Sequence, residues 1–390
     1  MNILLFTQSL AGGGTERTVA TLANHWTERG WEVTVATLAS RIEDFYVLHP
    51  EVQRIALGLA GPSGGPLAGT LHNVRRVRAL RRLLDGLCPQ VAVAMMSTPN
   101  VLLALAGRGV PGLVTVGSER CYPPHAPLGR LWSAARRQLY GRLDAVVALT
   151  EECGRWIETH TSARSVPVIP NAVAYPLPSM PPCIAPDAVL PTGRKAMIAV
   201  GRLDPVKNLQ ALLDAFALLA PAHPDWDLVL LGEGPERGAL RAAVGAAGLA
   251  GRVILPGIVG NVGEWHARAT LYVLTSRSEG FPNALAEALC HGVPAVSVDC
   301  DTGPRDIVRH GVDGLLVAPD DPAALARALD LLMGNHELRR QFALRAAEAR
   351  ARFSIDRVAG MWEALFGQLA AARMATGQDA RDADRRGFLS

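Results

Sequence analysis

The feature that most constrains the fold is an alternation of short apolar runs with helical stretches, which repeats through most of the chain. Residues 3–6, 91–95 and 196–200 are three runs in which every position is apolar. Such runs are typical of parallel strands that are buried on both faces, because a strand with one exposed face alternates apolar and polar residues. The order of strand followed by helix is typical of a doubly wound sheet. The chain is therefore predicted to be an α/β protein.

A proline-rich segment interrupts this alternation near the middle of the chain. Residues 175–191 read YPLPSMPPCIAPDAVLP, with six prolines in seventeen residues, which neither a helix nor a central strand accommodates. At 390 residues the chain also suits two domains better than one. We predict an N-terminal domain at residues 1–175, a linker at 176–192 and a C-terminal domain at 193–353. Residues 354–372 are predicted to form a helix that packs back on the N-terminal domain, and residues 373–390 to be disordered.

Charge and cysteine content exclude several classes of function. A net charge of +3 is too small to indicate wholesale nucleic-acid binding. The six cysteines show neither a CxxC pair nor a zinc-finger spacing, which favours idle thiols in a reducing compartment. The start, MNILLFTQSL, lacks a basic region and is interpreted as a first strand, not as a signal peptide. No apolar run approaches the length of a membrane-spanning helix. We therefore expect a cytoplasmic protein that can still lie on the inner face of the cell membrane.

Two doubly wound domains are expected to face each other across a cleft, with ligands at the carboxyl ends of the strands. The first loop at such an end is AGGGTER, residues 11–17. Its spacing matches neither the dinucleotide fingerprint nor a P-loop. Three glycines still let a ligand approach the backbone amides at a helix N-terminus, although a tight turn alone also explains them.

The second domain opens with AVGRLDPVKN, which places Arg202 and Lys207 in the loop after its first predicted strand. Arginine offers a planar fork of donors and lysine a mobile point charge, and both suit phosphate oxygens. Two cations at the carboxyl end of a strand suggest a diphosphate clamp. The alternative is a pair of solvated surface charges.

The stretch SEGFPNALAEALCHGVPAVSVD, residues 278–299, contains two carboxylates eight positions apart. Glu279 is predicted to lie in a loop after a strand, and Glu287 about one turn into a helix for which Asn283 is the N-cap. The free amides of Asn283, Ala284 and Leu285 favour an anion at that helix end. A carboxylate accepts hydrogen bonds from hydroxyls, so the pair fits a sugar on one side and a ribose on the other. The alternative for Glu287 is an ordinary exposed helix charge.

In this order and spacing, GRLDPVKN, LGEGPER, SEGFPNALAEALCHGVPAVSVD and GPRDIVRHGVDGLLV resemble the C-terminal half of glycosyltransferase family 4. AGGGTER and VIPNAV are similar to the N-terminal and hinge patterns of that family, so the resemblance covers nearly the whole chain. It implies the GT-B fold and the transfer of a sugar from a sugar nucleotide with retention at the anomeric carbon.

The resemblance also implies roles for individual residues. Glu279 would hold hydroxyls of the donor sugar, Glu287 would bind the ribose, and Arg202 and Lys207 would stabilise the diphosphate leaving group. The remaining donor-binding residues, implied to lie by a phosphate, at the helix end or beside the nucleotide base, are Gly14, Gly232, Glu233, Gly234, Pro235, Ile258, Val259, Asn283, Ala284 and Leu285. No metal is expected, because two cations and a helix end replace it, and no cofactor is expected besides the UDP-sugar as co-substrate. The leaving phosphate itself is implied to help deprotonate the acceptor, so no general base is nominated.

One position departs from the family pattern. Many members carry a histidine after about the fourth strand of the first domain, where this chain has Ser118, Glu119 and Arg120. His125, five residues beyond Arg120, is interpreted as a bystander. Glu119 and Arg120 are assigned to the acceptor side or to a membrane surface, and the donor sugar stays open.

Positive charge is concentrated in the first predicted domain. Residues 69–142 contain eleven arginines and two acids, a local balance of +9, whereas residues 1–68 sum to −2 from four arginines and six acids. On a helical wheel of HNVRRVRALRRLLDGL, Arg75, Arg78 and Arg82 lie opposite an apolar stripe, but Arg76 falls near that stripe. We predict contact with anionic lipid headgroups or with an acceptor diphosphate. A solvated helix face is the alternative.

Taken together, the predicted function is the transfer of a hexose or N-acetylhexosamine from a UDP-sugar to a glycan acceptor carried on a polyprenyl diphosphate, with no nucleic-acid partner. Two alternatives stay open. One is a UDP-sugar 2-epimerase of the same fold, and the other is an inactive GT-B protein that binds nucleotide only.

Overall fold

The structure is a computed structural model that describes residues 1–61 and 66–387, with the side chains of residues 1–61 and 69–375. The chain divides into two compact units. The first unit consists of residues Met1–Ala172 together with Ile355–Ser390, and the second of Val173–Ser354.

The first unit is built on a six-stranded parallel sheet in the order β3-β2-β1-β4-β5-β6. Its strands are β1 (Asn2–Thr7), β2 (Glu32–Thr37), β3 (Gln53–Ala56), β4 (Val91–Met95), β5 (Val114–Ser118) and β6 (Ala145–Val147). Alternate residues of β1 belong to two different apolar cores: Ile3 and Leu5 join one, while Leu4 and Phe6 join the other. Because both faces of the sheet are covered, the strand reads as a continuous apolar run.

Six α-helices are described in the first unit, among residues 1–61, 66–172 and 355–387. They are α1 (Gly14–Glu28), α2 (Pro66–Leu87), α3 (Ser97–Ala106), α4 (Arg130–Leu139), α5 (Glu151–His160) and the final helix, α14 (Ile355–Gly387). The final helix packs on α1, where the Trp26 and Phe366 rings are 5.8 Å apart and the Trp26 indole N–H donates to Glu363 over 3.2 Å. Helix α14 continues to Gly387, through most of the segment for which the sequence predicts disorder, because alanine and arginine are strong helix formers there. Residues 388–390 lie outside the described residues.

The second unit repeats this topology. Its strands are β7 (Lys195–Val200), β8 (Trp226–Leu231), β9 (Val253–Gly257), β10 (Leu271–Leu274), β11 (Ala295–Val298) and β12 (Gly314–Val317), in the order β12-β11-β10-β7-β8-β9. Its helices are α6 (Leu209–Leu219), α7 (Arg237–Ala246), α8 (Val262–Arg268), α9 (Asn283–Cys290), α10 (Pro304–Ile307), α11 (Pro322–Gly334), α12 (His336–Ala346) and α13 (Ala349–Arg352). In both units the strand order reverses beside the first strand, which is the Rossmann arrangement.

The proline-rich segment, predicted as a linker, is part of the second unit. The Met180 amide donates to the Gly260 carbonyl over 3.1 Å, and the Gly260 amide donates to the Pro182 carbonyl over 2.6 Å. The Asn261 side chain bonds both backbone groups of Ile184, at 3.0 and 3.1 Å. Proline cannot donate to a sheet, but its carbonyl still accepts, so a chain rich in proline can be held in this way.

Two apolar or helical stretches of the chain form less regular structure than their local sequence favours. The mostly apolar residues 166–169 form only an isolated bridge, between Ala148 and Val168. The helical region that begins at His336 is divided into α12, α13 and α14, with breaks near Glu348 and at Phe353. The Phe353 ring packs edge-on against Phe281, 5.7 Å away, so a tertiary contact accompanies the second break.

Candidate functional site

The predicted donor residues of the second unit gather where the strand order reverses, between β7 and β10. Gly201, Arg202 and Lys207 follow β7, and Ser276 and Glu279 follow β10. Parallel neighbours end at the same edge of the sheet, and diverging loops leave a crevice at this point. A pocket lies there, lined in part by Gly201, Arg202, Lys207, Thr275 and Ser276.

The centre of this crevice is an ion pair between the two loops. The Lys207 ammonium lies 2.5 Å from Oε1 of Glu279, and the same oxygen accepts a hydrogen bond from the Ser276 hydroxyl over 2.6 Å. Two further contacts fix the loops: the Thr275 hydroxyl donates to the Lys207 carbonyl and the Thr302 hydroxyl to the Glu279 carbonyl. The pair is mostly buried, and it places a cation and a carboxylate side by side at the switch point.

Arg202 occupies the rim of the same crevice. Its guanidinium is paired with Asp204 over 2.9 Å, and 74% of its side chain is exposed. The Asp204 carboxylate also accepts the Lys207 amide, which caps the short helical turn that carries Lys207. An exposed guanidinium of this kind can rotate towards an anion. The structure places both predicted cations, Arg202 and Lys207, on one loop that lines the crevice.

Helix α9 carries the second carboxylate of the predicted pair. The helix begins at Asn283, and its N-cap is Pro282, so the prediction that Asn283 itself is the N-cap is off by one residue. Glu287 lies one turn in and is only 5% exposed, which excludes an ordinary solvated helix charge. Asn283 and Ala284 are partly exposed at the helix start, whereas the Leu285 side chain is fully buried. The Leu285 amide donates to the Pro282 carbonyl over 3.0 Å, so the expectation of a free amide at Leu285 is wrong.

Close packing of backbone accounts for two glycines of the LGEG segment. Gly232 has φ +133°, and a Cβ there would collide with the Gly201 carbonyl oxygen; a Cβ on Gly234 would collide with the Leu203 carbonyl. These glycines therefore bring the loop after β8 against the loop that carries Arg202. A side chain at either position would push the two loops apart.

The remaining predicted donor residues lie in the loops that follow β8 and β9. Glu233 pairs with Arg237 over 2.8 Å, and Pro235 is exposed. Ile258 follows β9 and is 59% exposed, whereas Val259 is buried. Ile258 is thus an apolar side chain that meets solvent at the carboxyl edge of the sheet.

In the first unit the glycine loop lies at the end of β1, and Gly14 opens α1. Gly14 is exposed, and the N-cap is Gly13, whose carbonyl accepts the Tyr46 hydroxyl over 2.9 Å. The loop sits at the switch point of its own sheet, between β1 and β4. Its Glu16 lies in the first helical turn, so the helix end already faces a carboxylate.

The assignment of Glu119 and Arg120 to an acceptor or membrane surface is corrected by their burial, at 2% and 6% exposure. Glu119 accepts hydrogen bonds from the Ser97 hydroxyl over 2.8 and 2.9 Å and from the Tyr140 hydroxyl. Burial raises the pKa of Glu119, against the opposite effect of these donors.

Arg120 is held inside the unit in a similar way. Its guanidinium donates to the Thr18 hydroxyl over 3.0 Å and to the Asn171 side chain. Burial lowers its pKa to about 10. Side chains that satisfy internal groups and are closed off from solvent cannot form a lipid-facing surface.

The arginine helix is α2. Arg75, Arg78 and Arg82 are exposed on one face, as predicted from the helical wheel. Arg76, which the wheel placed near the apolar stripe, is 8% exposed and donates to the Leu59 and Gly61 carbonyls over 2.9 and 3.2 Å. Arg76 therefore departs from the helical-wheel pattern because it is buried and donates hydrogen bonds to backbone carbonyls of the preceding loop.

Sequence reasoning missed Ser276 and Thr302, which hold the Glu279 loop, and Asp204, which holds Arg202. Ser276 and Asp204 lie within three residues of a predicted site residue, so proximity in the sequence could have indicated them. Thr302 lies 23 residues from Glu279, and only the fold brings the two together.

Two features are absent from the described residues. No helix there is long and apolar enough to cross a membrane. No group of three or more histidine, cysteine or acidic side chains in the same part of the chain is arranged to hold a metal ion.

Comparison with known families assigns both halves of the chain. Residues 184–349 match the family described as glycosyl transferases group 1, and residues 12–174 match glycosyltransferase family 4.

Of three similar proteins, two are named as glycosyltransferases. An exopolysaccharide phosphotransferase of Streptomyces coelicolor is 32% identical over 96% of this chain, which spans only 41% of that relative's length. A lipopolysaccharide core biosynthesis mannosyltransferase of Rhizobium leguminosarum is 32% identical over 62% of this chain and 69% of its own. A Campylobacter jejuni enzyme, named as an alpha-1,4-N-acetyl-D-galactosaminyltransferase acting on a diNAcBac-PP-undecaprenol-linked GalNAc acceptor, is 26% identical over 95% of this chain and 99% of its own.

Among solved structures, HepE of Anabaena in complex with UDP has a TM-score of 0.76 at 20% identity, covering 94% of this chain and all of that one. The match supports the predicted fold, and the family resemblance read from the motifs is confirmed. The chain therefore belongs to the family 4 type of glycosyltransferases and has the two-domain α/β architecture of the GT-B fold.

Proposed function

We propose that the protein is a retaining glycosyltransferase that moves a hexose or N-acetylhexosamine from a UDP-sugar to a lipid-linked glycan acceptor in surface polysaccharide assembly. The single observation that carries the proposal is the arrangement at the switch point of the second unit. There Lys207 pairs with Glu279 across two loops, and the buried Glu287 lies on the next helix. This combination of cation and carboxylates suits a substrate with both phosphate and hydroxyl groups.

In the proposed donor complex each residue meets one part of the substrate. Glu279 accepts hydroxyls of the transferred sugar, and Glu287 accepts hydroxyls of the ribose. Arg202 and Lys207 meet the diphosphate, together with the positive end of the α9 dipole. Ile258 and Val259 border the base. UDP as the nucleotide is supported by the UDP complex of the structurally similar HepE.

The proposed reaction proceeds on one face of the sugar. The bond between the anomeric carbon and the diphosphate oxygen breaks, and a bond to the acceptor oxygen forms on the same side. The acceptor proton passes to the departing phosphate, so no protein base is needed. Charge that develops on the diphosphate is stabilised by Lys207 and Arg202 in place of a metal ion.

The proposed acceptor is a glycan on a polyprenyl diphosphate. Support comes from the Campylobacter relative, whose name includes an undecaprenyl diphosphate acceptor. Support also comes from the exposed arginine face of α2, since Arg75, Arg78 and Arg82 present three cations to a lipid headgroup or a diphosphate. We propose that the protein works at the cytoplasmic face of the cell membrane.

The test is to incubate the full chain with a panel of UDP- and GDP-sugars, with and without polyprenyl-diphosphate glycans, and to measure released nucleotide. Release of UDP that depends on the acceptor is the expected result. UDP release without any acceptor would instead favour a 2-epimerase, and binding of nucleotide without any release would favour an inactive partner protein. Turnover of GDP-sugars alone would overturn the proposed donor.

A further inference from the structure

A buried histidine lies directly behind the proposed ribose site. His266 is on α8 and is fully buried. Within the described part of the chain, neither of its ring nitrogens has a hydrogen-bond partner. Its Nε2 atom is 4.0 Å from Oε2 of Glu287, which is close but longer than a hydrogen bond.

The surroundings of His266 are mostly aromatic. The Tyr272 ring centre is 5.9 Å from that of His266, and the His291 ring centre is 5.4 Å away. Burial, with a smaller contribution from His291, lowers the pKa of His266 to about 3, so the imidazole is neutral at physiological pH. A neutral imidazole carries one N–H donor and one acceptor nitrogen.

A buried imidazole without hydrogen-bond partners destabilises the folded state. A buried polar atom without a partner lowers the free energy of unfolding, and an aromatic hydrocarbon of similar shape would avoid that loss. Most buried polar atoms are paired, and an exception calls for an explanation from function or from strain. The only acidic side chain that the structure places within 4.0 Å of a His266 ring nitrogen, among the described residues, is Glu287.

We propose that His266 is a positioning residue for Glu287: its Nε2–H closes on the Glu287 carboxylate when ribose hydroxyls bind, and this contact fixes how the carboxylate faces the nucleotide. The proposal rests on the proposed function, because it takes Glu287 as the ribose ligand. Only a small side-chain movement is needed to shorten the 4.0 Å separation to hydrogen-bond length.

The test is His266→Phe, which keeps an aromatic ring and removes both nitrogens. We expect the affinity for UDP, measured by calorimetry on the full chain, to fall on the order of tenfold, as for loss of a hydrogen bond to a charged group. The donor KM should rise with little change in kcat. Thermal stability should be unchanged or higher, because the unpartnered nitrogens are gone. A residue that only fills the core would change the melting temperature without moving UDP affinity.

A conservative variant and a double mutant test whether His266 acts through Glu287. His266→Gln places an N–H near the position of Nε2, and it should restore most of the UDP affinity. If His266 acts through Glu287, then His266→Phe added to Glu287→Gln should cause little further loss, since the two effects are coupled. Fully additive losses would overturn the proposal.

Thr7→Val is the matched control. It removes a buried hydroxyl that has no hydrogen-bond partner among the described residues, in the other unit, without changing side-chain shape. We expect it to leave UDP affinity unchanged. If wild-type protein binds UDP and His266→Phe binds it equally well, the positioning role is wrong while the proposed function stands. If wild-type protein neither binds UDP nor releases it from any sugar nucleotide, the proposed function itself fails.

Discussion

The Nζ atom of Lys207 lies 2.5 Å from the Oε1 atom of Glu279, so that a cation after β7 and a carboxylate after β10 meet across the switch point of the second unit. Only 24% and 11% of the two side chains are exposed, and the pair is therefore less screened than a surface ion pair. A lysine ammonium has three donors, and this contact uses one of them. The others are available to a phosphate group while the carboxylate holds the lysine in place.

Replacing Lys207 or Arg202 with alanine should lower kcat sharply. Their charge matters most as the diphosphate departs, so each acts on the transition state. We expect a loss on the order of 10²–10³-fold for each, as for removal of one preorganised donor. Steady-state kinetics with saturating donor measure it. Lys195→Ala is the matched control, because Lys195 pairs with Asp225 at the amino end of β7. An equal loss in the control would contradict the assignment.

Removal of divalent metal ions should leave turnover intact. The proposed site stabilises the leaving group with Lys207, Arg202 and the start of α9, without a metal ion. The measurement is nucleotide release after dialysis against EDTA, compared with release in added magnesium. Activity that disappears with EDTA and returns with magnesium would show that the metal-free mechanism is wrong.

Glu287→Gln should weaken donor binding more than it slows the bound complex. A hydrogen bond from a hydroxyl to a charged group contributes roughly 1.5–3 kcal/mol, and the neutral amide keeps the shape but loses the charge. The donor KM should therefore rise about tenfold or more, with a smaller change in kcat. Glu337→Gln, at an exposed position on α12, serves as the control. An unchanged donor KM would remove Glu287 from the ribose site.

Replacing Arg75, Arg78 and Arg82 together with glutamine should weaken binding to anionic vesicles or to a lipid-diphosphate acceptor. Each arginine near an anionic surface contributes about 1 kcal/mol, so the triple variant should lose about 3 kcal/mol, roughly a hundredfold. Co-sedimentation with vesicles at low and high salt, and kinetics with a lipid-linked and a short water-soluble acceptor, measure the loss.

The matched control for that variant removes three exposed arginines of the second unit, Arg241, Arg327 and Arg340. It lowers the net charge equally and should leave vesicle binding nearly unchanged. If both triple variants sediment like wild type and use both acceptors equally well, the arginine face of α2 is only a solvated surface.

Glu119→Gln should change the pH dependence of stability. Burial raises the pKa of Glu119 in the folded state above its ordinary value of 4.5, so the folded state holds this proton more tightly than the unfolded state does. Wild-type protein therefore loses stability from this group as pH rises from about 4.5 through the folded-state pKa, and the loss then stays constant. The glutamine variant should lack this pH-dependent loss of stability. Melting temperatures of both proteins across pH 4–8 test the expectation, and parallel curves would contradict it.

The doubly wound architecture and the loops of the proposed site could be predicted from the amino-acid sequence. Strands such as β1, β4 and β10 are visible because both faces of each sheet are covered, so each strand is apolar at nearly every position. Arg202, Lys207 and Glu279 could be placed at the carboxyl ends of strands because a loop that follows a parallel strand must begin there. The pairing of Lys207 with Glu279 was not predicted, but both residues were placed at the same edge.

Burial could not be predicted, because it depends on residues that are distant in the sequence. Arg76 and Arg78 are two positions apart on one helix, yet one reaches the Leu59 carbonyl and the other faces solvent. Glu119 was expected at a surface and is enclosed by Ser97 and Tyr140. A role for His266 was not predicted, because the residues around it in the sequence do not indicate that α8 places it beside Glu287. Local pattern specifies which residues can form an element, whereas the packing of distant elements decides which polar groups lose water and must find a partner.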